Sequence, residues 1–326
     1  MDTSWAHRLT TFTERFLTWR KRRRVRRKIK QQKKHVVVDW LEAFLWAAGV
    51  VLLINQYALQ AYRIPSGSMM NTLLLGDRIF VNKLVYGPEL LPGVAKLPGF
   101  AEPERGEVVI FENPSYISRG TAFDILQRIL YMVTLSIVDI DRDESGQPRA
   151  HFLIKRAVGV GGDRFRTREG ELEIRPPGES GWIAERDFAP SVGLDYEIRR
   201  LVPEERYADY PAAGVATARN ELGLEPDADA ERALSSVRQA GAVDPFALDL
   251  HRTRFLLKAN PHDQRTAGRD AYYRLGWYVP HDRILPVGDN RDNSRDGRYF
   301  GAVDTGDVLG RAMVKYWPIN RIGAIR

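Results

Sequence analysis

The stretch VVVDWLEAFLWAAGVVLLINQYALQAY, set directly behind a run of basic residues, constrains this chain more than any other feature. Every residue from Ala43 to Ile54 is apolar or glycine. Val37 to Ala58 supplies the about 20 residues of helix needed to cross a hydrocarbon core. Asp39 and Glu42 lie near the start, where acidic side chains suit a helix N-terminus. Trp40 falls near one expected interface, and Tyr57 and Tyr62 near the other. A cleaved signal peptide would need a shorter leading segment and small residues soon after the apolar core. Here the core starts deep in the chain and runs on into Gln-Ala-Tyr-Arg-Ile-Pro. The expectation is a retained transmembrane helix over residues 36–61, preceded by a basic segment over 1–35.

Charge orients the helix. Arg20 to Lys34 reads RKRRRVRRKIKQQKK, and this stretch alone exceeds the net charge of +7, leaving the rest slightly acidic. Basic residues beside a span stay in the cytoplasm, so the chain beyond it emerges on the outer face. The same cluster suits anionic headgroups of a lipid bilayer. A nucleic-acid partner for the folded body is unsupported. The 44% of apolar residues marks a folded protein. The absence of cysteine excludes disulfides, a thiol nucleophile and thiolate metal sites. Six scattered histidines offer no HExxH spacing, so no metal and no cofactor is expected.

Beyond the anchor, DRIFVNKLV and GEVVIF are short runs of β-branched and aromatic residues bounded by Gly and Pro, which predict strands. ILQRILYMVTLSIVDI, Ile125 to Ile140, is apolar but too short for a comfortable crossing, and is expected to lie at the membrane interface. HFLIKRAVGVGGD predicts a strand ending in a glycine turn; it lacks the Lys-Ser/Thr ending of a phosphate loop. Glu204 to Gly241 is rich in Ala, Glu, Asp and Arg, the composition of solvated helices in an insertion. Short strand-like runs return after Arg283, as in GRAMVKYWPI.

Three stretches carry the chemistry. IPSGSMMNTLLLGD, Ile64 to Asp77, places Ser-Gly-Ser in a constrained turn just outside the span, but a serine needs a base to become a nucleophile. In the strand containing Lys155, Leu153, Lys155 and Ala157 face one way and Phe152, Ile154, Arg156 and Val158 the other. Lys155 thus sits on a small apolar face, where burial disfavours the ammonium and makes a neutral, proton-accepting amine accessible. A snorkelling lysine with its head in water is the alternative that the strand alone leaves open. GDNRDNSRDGRYFGAV, from Gly288, is dense in turn-forming side chains and offers Ser294 as a partner for the lysine, with Asp296 and Arg298 as a buttressing ion pair. A calcium loop counted from Asp289 fails, because Phe300 occupies the position of the closing glutamate.

Taken together, PSGSM after a span, IKRAVGVGGD and GDNRDNSRDGRYFG resemble, in that order, the characteristic boxes of type I signal peptidases, and RGEVVIF resembles a fourth. The resemblance implies a mainly β catalytic domain of antiparallel sheet, residues 62–163 and 283–326, with a partly helical accessory insertion over 164–282. It implies a serine endopeptidase of the cytoplasmic (inner) membrane that acts on its outer, periplasmic face. Its partners would be signal-peptide-bearing preproteins, cut after Ala-x-Ala. Ser68 would be the nucleophile and Lys155 the general base. The backbone N–H of Ser68 and the hydroxyl of Ser66 would form the oxyanion hole. Ser294 would orient Lys155, supported by Asp296 and Arg298, and Ile64, Met69, Leu73, Leu153 and Ile154 would line the pockets for small side chains. Asn71 and Gly161 depart from the family, standing where proline is commoner. A self-cleaving repressor with a Ser-Lys pair would be soluble, which the span opposes. A binding protein that had lost catalysis would lack Ser68 or Lys155.

Overall fold

The computed structural model describes residues 13–24, 36–91, 95–134, 137–144, 146 and 149–326. Of the basic segment only a helix over 13–24 (α1) falls among them; residues 25–35, with most of the basic run, lie outside, as do residues 135 and 136 of the second apolar stretch. Two compact units follow, Met1–Ile54 and Asn55–Arg326. The first contains α1 and most of α2 (Val36–Tyr57), 22 residues without a basic side chain in the last turn. Trp40, Phe44, Leu45 and Trp46 are exposed, and none of its apolar window is buried within the protein. A helix apolar all round that finds no protein core is long and apolar enough to cross a membrane.

In the second unit the main sheet is antiparallel throughout. Its strands are β1 (Leu59–Arg63), β2 (Arg78–Asn82), β5 (Val108–Glu112), β6 (Phe152–Gly159), β11 (Arg283–Val287), β12 (Val303–Asp304), β13 (Val308–Trp317) and β14 (Gly323–Ala324). They run in the order β1-β2-β13-β5-β6-β11-β12, with β14 also paired to β13. A small hairpin, β3 (Glu89–Leu91) and β4 (Ala95–Lys96), stands apart. The strand sequences explain the burial. VVIF in β5 has no polar alternation because both faces are covered. Val108 and Ile110 enter one core with Ile64, Met69, Leu73 and Ile154, whereas Val109 and Phe111 enter another with Ala157, Ile284 and Val308.

Between β6 and β11 the chain makes a second antiparallel sheet, β10 (Trp277–Tyr278), β7 (Arg164–Arg168), β8 (Glu171–Arg175) and β9 (Ile183–Ala184) in that order. Five helices accompany it: α4 (Glu185–Ser191), α5 (Tyr210–Glu221), α6 (Ala228–Gln239), α7 (Pro245–Ala259) and α8 (Gln264–Leu275). The expected helices of residues 204–241 are thus α5 and α6, and Asp227 caps α6 by accepting from Ala230 N. The insertion carries a sheet as well as helices, and it is not set apart from the main sheet. Phe165, Leu172 and Ile174 share one apolar core with Val158, Leu285 and Val287.

GVGGD forms the turn its glycines predict. Gly162 takes φ 97°, and Asp163 Oδ2 accepts from Val160 N at 2.8 Å. The second apolar stretch begins as α3 (Thr121–Val133), a helix that exposes Leu126, Ile129 and Val133. Its Arg128 holds Glu89 at 3.4 Å, and Glu89 O accepts from Gln56 Nε2 at 3.2 Å. α3 is therefore fastened to the hairpin that also grips the last turn of α2.

Candidate active site

The serine turn is an excursion between paired strands. β1 and β2 close at Arg63↔Arg78, and residues 64–77 loop out between them. Backbone bonds of Ile64 N to Asp77 O (2.8 Å) and Gly76 N to Ile64 O (2.9 Å) pin the neck. Ile64, Met69 and Leu73 fill the core beneath it. Buried apolar anchors on both sides of Ser68 leave the turn little freedom to shift.

Lysine reaches this turn from a neighbouring part of the sheet. β6 lies between β5 and β11, with Val109↔Lys155 on one side and Val287↔Arg156 on the other. Lys155 Nζ lies 2.7 Å from Ser68 Oγ and donates to Ile154 O at 3.0 Å. Lys155 is 3% exposed and Ser68 is 8% exposed. Burial pulls the amine down from its ordinary value to about 8, against the opposing pull of Asp296 and Asp289; Arg298 adds to the lowering. Of the two fates open to a strand lysine, this one is burial rather than snorkelling. Ser66 Oγ donates to Ser68 Oγ at 3.4 Å, so the second serine of the turn borders the first.

β11 leads straight into Gly288–Arg298, which lies against the serine turn. Asn290 N donates to Ser68 O at 3.0 Å and Asn290 Nδ2 to Gly67 O at 2.8 Å. Gly288 approaches so closely that a Cβ there would come within 2.6 Å of Ser68 O and 2.2 Å of Ser294 Oγ. Asp296 accepts from Gly288 N at 2.9 Å and from Arg298 Nε at 2.9 Å. Burial alone would raise the Asp296 carboxyl, but the Arg298 charge and these hydrogen bonds hold it below its ordinary value. The expected Asp296–Arg298 pair is formed. Ser294 is buried beside the turn, but Lys155 Nζ donates to Ser68 Oγ and Ile154 O and not to Ser294.

Of the expected pocket residues, Ile64, Met69, Leu73 and Ile154 share a single core cluster. Leu153 packs on the other face of β6, beside Val109 and Phe111, as strand alternation requires. The five expected residues are thus divided between two core clusters, four in one and Leu153 against the other.

Several residues here escaped the sequence reading. Arg156, fully buried, sends Nε and Nη2 to the two carboxylate oxygens of Asp289 at 2.9 and 2.7 Å, and Thr72 Oγ1 donates to Asp289 Oδ2 at 2.5 Å. The signal was an arginine on an otherwise apolar strand face, which demands a partner. Arg105 pairs with Asp163 at 2.7 Å and joins the RGEVVIF and GVGGD stretches. Asn71 takes φ 86°, a conformation closed to proline, so this departure from the family is a left-handed turn and not merely a looser one. At Gly161 a Cβ would come within 2.4 Å of His281 O, and glycine is what this crossing tolerates. His151, the one histidine in these stretches, lies 3.2 Å from Asp141 and against the Tyr116 ring. Among the described residues no group of His, Asp and Glu is placed to hold a metal ion.

A buried serine and lysine in contact on antiparallel sheet, in a chain that also carries a long apolar helix, are the parts of a serine peptidase, and comparison with known proteins gives the family. The signal peptidase family, peptidase S26, matches residues 37–188 and 225–317, and the chain belongs to it. Signal peptidase I of Haemophilus influenzae is 25% identical over 276 residues, covering 84% of this chain and 68% of its own. Signal peptidase I of Pseudomonas fluorescens is 25% identical over 91% of this chain and 82% of its own. That of Aquifex aeolicus is 25% identical over 82% and 79%.

Proposed function

We propose that this chain is a membrane-anchored serine endopeptidase that removes signal peptides from preproteins, with Ser68 as nucleophile and Lys155 as general base. Family membership supports the activity. The observation that carries the assignment of residues is the 2.7 Å contact between Lys155 Nζ and Ser68 Oγ in a buried setting. As a neutral amine, Lys155 takes the Ser68 proton as Oγ attacks the scissile carbonyl, then returns it to the leaving amine. Ser66 Oγ and the Ser68 backbone N–H stabilise the oxyanion. Asp296 and Arg298 brace the Gly288 backbone, and Ser294 closes the space beside it. Small side chains at the cleavage site, as in Ala-x-Ala, enter the apolar surface formed around Ile64, Met69, Leu73 and Ile154, with Leu153 bordering it from the neighbouring strand position.

Residues 62–163 and 283–326 form the catalytic part and 164–282 an accessory insertion. α2 anchors the chain in the cytoplasmic membrane with the basic segment inside and the peptidase on the outer face, the orientation that the Arg/Lys cluster supports. The exposed apolar face of α3 contacts the bilayer surface. In detergent, the purified protein should cut an exported precursor at an Ala-x-Ala site. It should also resist reagents that trap histidine-assisted serine proteases. Normal processing by Ser68→Ala or Lys155→Ala protein would sink the assignment.

A further inference from the structure

The loop Gly288–Arg298 touches the serine turn on one side only. Its other side is held by residues 185–202 of the insertion. Arg291 and Glu185, 4% and 1% exposed, form a two-pronged ion pair, Nη2 to Oε1 at 2.7 Å and Nη1 to Oε2 closer still. Tyr196 donates its hydroxyl to Glu185 Oε1 at 2.7 Å, while its ring carries the Arg156 guanidinium 4.3 Å from its centroid. The backbone adds Arg199 N to Asp289 O at 2.8 Å and Arg291 N to Arg199 O at 3.0 Å, a short parallel bridge. Asp292 accepts from Leu201 N at 2.5 Å and Val202 N at 3.0 Å, and from Arg200.

These contacts lead inward. Arg291 Nε donates to Gly288 O at 3.0 Å, and Arg298 Nη2 donates to Arg291 O at 2.6 Å. Gly288 is the residue whose Cα faces Ser68 O, and Asn290 beside it binds Ser68 O and Gly67 O. Glu185 is thus two side-chain steps from the backbone of the serine. Much of this clamp lies in residues 189–224, which the family match does not cover; Tyr196, Arg199 and Arg200 all fall there. A carboxylate that is buried, chelates one arginine and is itself ordered by a tyrosine is built for placement, since a free surface charge would do none of this.

We propose that Glu185, ordered by Tyr196, is a positioning residue for the Ser68–Lys155 pair: through Arg291 and Gly288 it sets the position of the Ser68 backbone, and so of its hydroxyl, over the lysine. The proposal rests on the assignment of Ser68 and Lys155. The effect falls on the chemical step, because Ile64, Met69 and Leu73 stay seated in the core beneath the turn while Ser68 alone, contacted from the loop side by Gly288 and Asn290, shifts relative to Lys155.

The test uses the full-length protein in detergent with a precursor substrate, and compares Tyr196→Phe and Glu185→Gln with Ser68→Ala. Tyr196→Phe removes one hydroxyl and should lower kcat about tenfold; Glu185→Gln should lower it about a hundredfold, the scale of an ångström-level misplacement. Both should keep KM and move the apparent pKa of the acid limb of kcat/KM, which a merely structural role would leave in place. Thermal melting followed in parallel separates placement from unfolding. Wild-type kcat in a folded Tyr196→Phe protein, or losses that only track the melting temperature, would overturn the proposal. Full activity of Ser68→Ala would instead overturn the assignment of the pair on which it rests.

Discussion

Two regions of this molecule each bury a lysine, and only one of them sets the amine against a serine hydroxyl. Lys83 and Lys155 are both 3% exposed, and burial lowers both amines. Lys83 Nζ, however, has Gln60 Oε1 at 3.2 Å and Glu89 Oε2 at 3.9 Å, and the carboxylate pulls it back toward the ammonium form. Around Lys155 the carboxylates are occupied. Asp296 is taken by Arg298 and Gly288 N, and Asp289 by Arg156 and Thr72, which leaves the amine a hydroxyl and a backbone carbonyl. Burial is therefore common to both sites. What distinguishes Lys155 is that no carboxylate forms an ion pair with its amine among the described residues and a serine hydroxyl faces it.

The largest expected effects break this comparison directly. Lys155→Ala and Ser68→Ala should each lower kcat at least about ten-thousandfold, while Lys83→Met stays within about twofold, all read as precursor cleavage in detergent. If Lys83→Met matched Lys155→Ala, the contrast between the two regions would be wrong. Next, Asp289→Asn leaves the fully buried Arg156 without its counter-charge and should cost roughly 3–5 kcal/mol in denaturant unfolding.

The pH profile sharpens the same point. With Lys155 at about 8, kcat/KM should fall about tenfold per pH unit below that value as the ammonium fills, and level off above it. A profile flat from pH 6 to 9 would rule out a titrating lysine base in that range. The stability consequence has a definite sign. The folded-state value lies below the ordinary 10.5, so between about pH 8 and 10.5 the unfolded chain binds the extra proton and stability rises with pH. Below about pH 8 the burial penalty is complete. Lys155→Met should therefore unfold with about 1–3 kcal/mol more stability at pH 7, although inactive. Lys83→Met, which strands Gln60 Oε1 but leaves Glu89 with Arg128, should be destabilised by about 1 kcal/mol.

Much of the site was legible before any coordinates. Strand alternation put Lys155 and Arg156 on opposite faces of an apolar strand, and that is how β6 lies, with Lys155 toward Ser68 and Arg156 toward Asp289. The Asp296–Arg298 pair was legible because its members are two residues apart in a turn. The two-residue period likewise puts Leu153 and Ile154 on opposite faces of β6, and they pack into different cores. The partners of Arg156, Arg291 and Asp292 were not legible. They lie 133, 106 and about 90 residues away along the chain, where spacing carries no signal.

The sequence by itself determined the apolar helix with its charged flank, the strand-forming runs, and the short-range chemistry of the Ser-Gly-Ser turn and the Asp/Asn loop. These depend on composition and on periods of two to four residues. Tertiary structure decided that the lysine is buried rather than snorkelled, which carboxylates are already paired, and that residues 185–202 of the insertion brace the loop behind the serine. The physical reason is that the proton affinity of an amine is set by the groups within a few ångströms of it, and here those come from β6, the turn after β1 and the loop after β11, brought together only when the sheet forms.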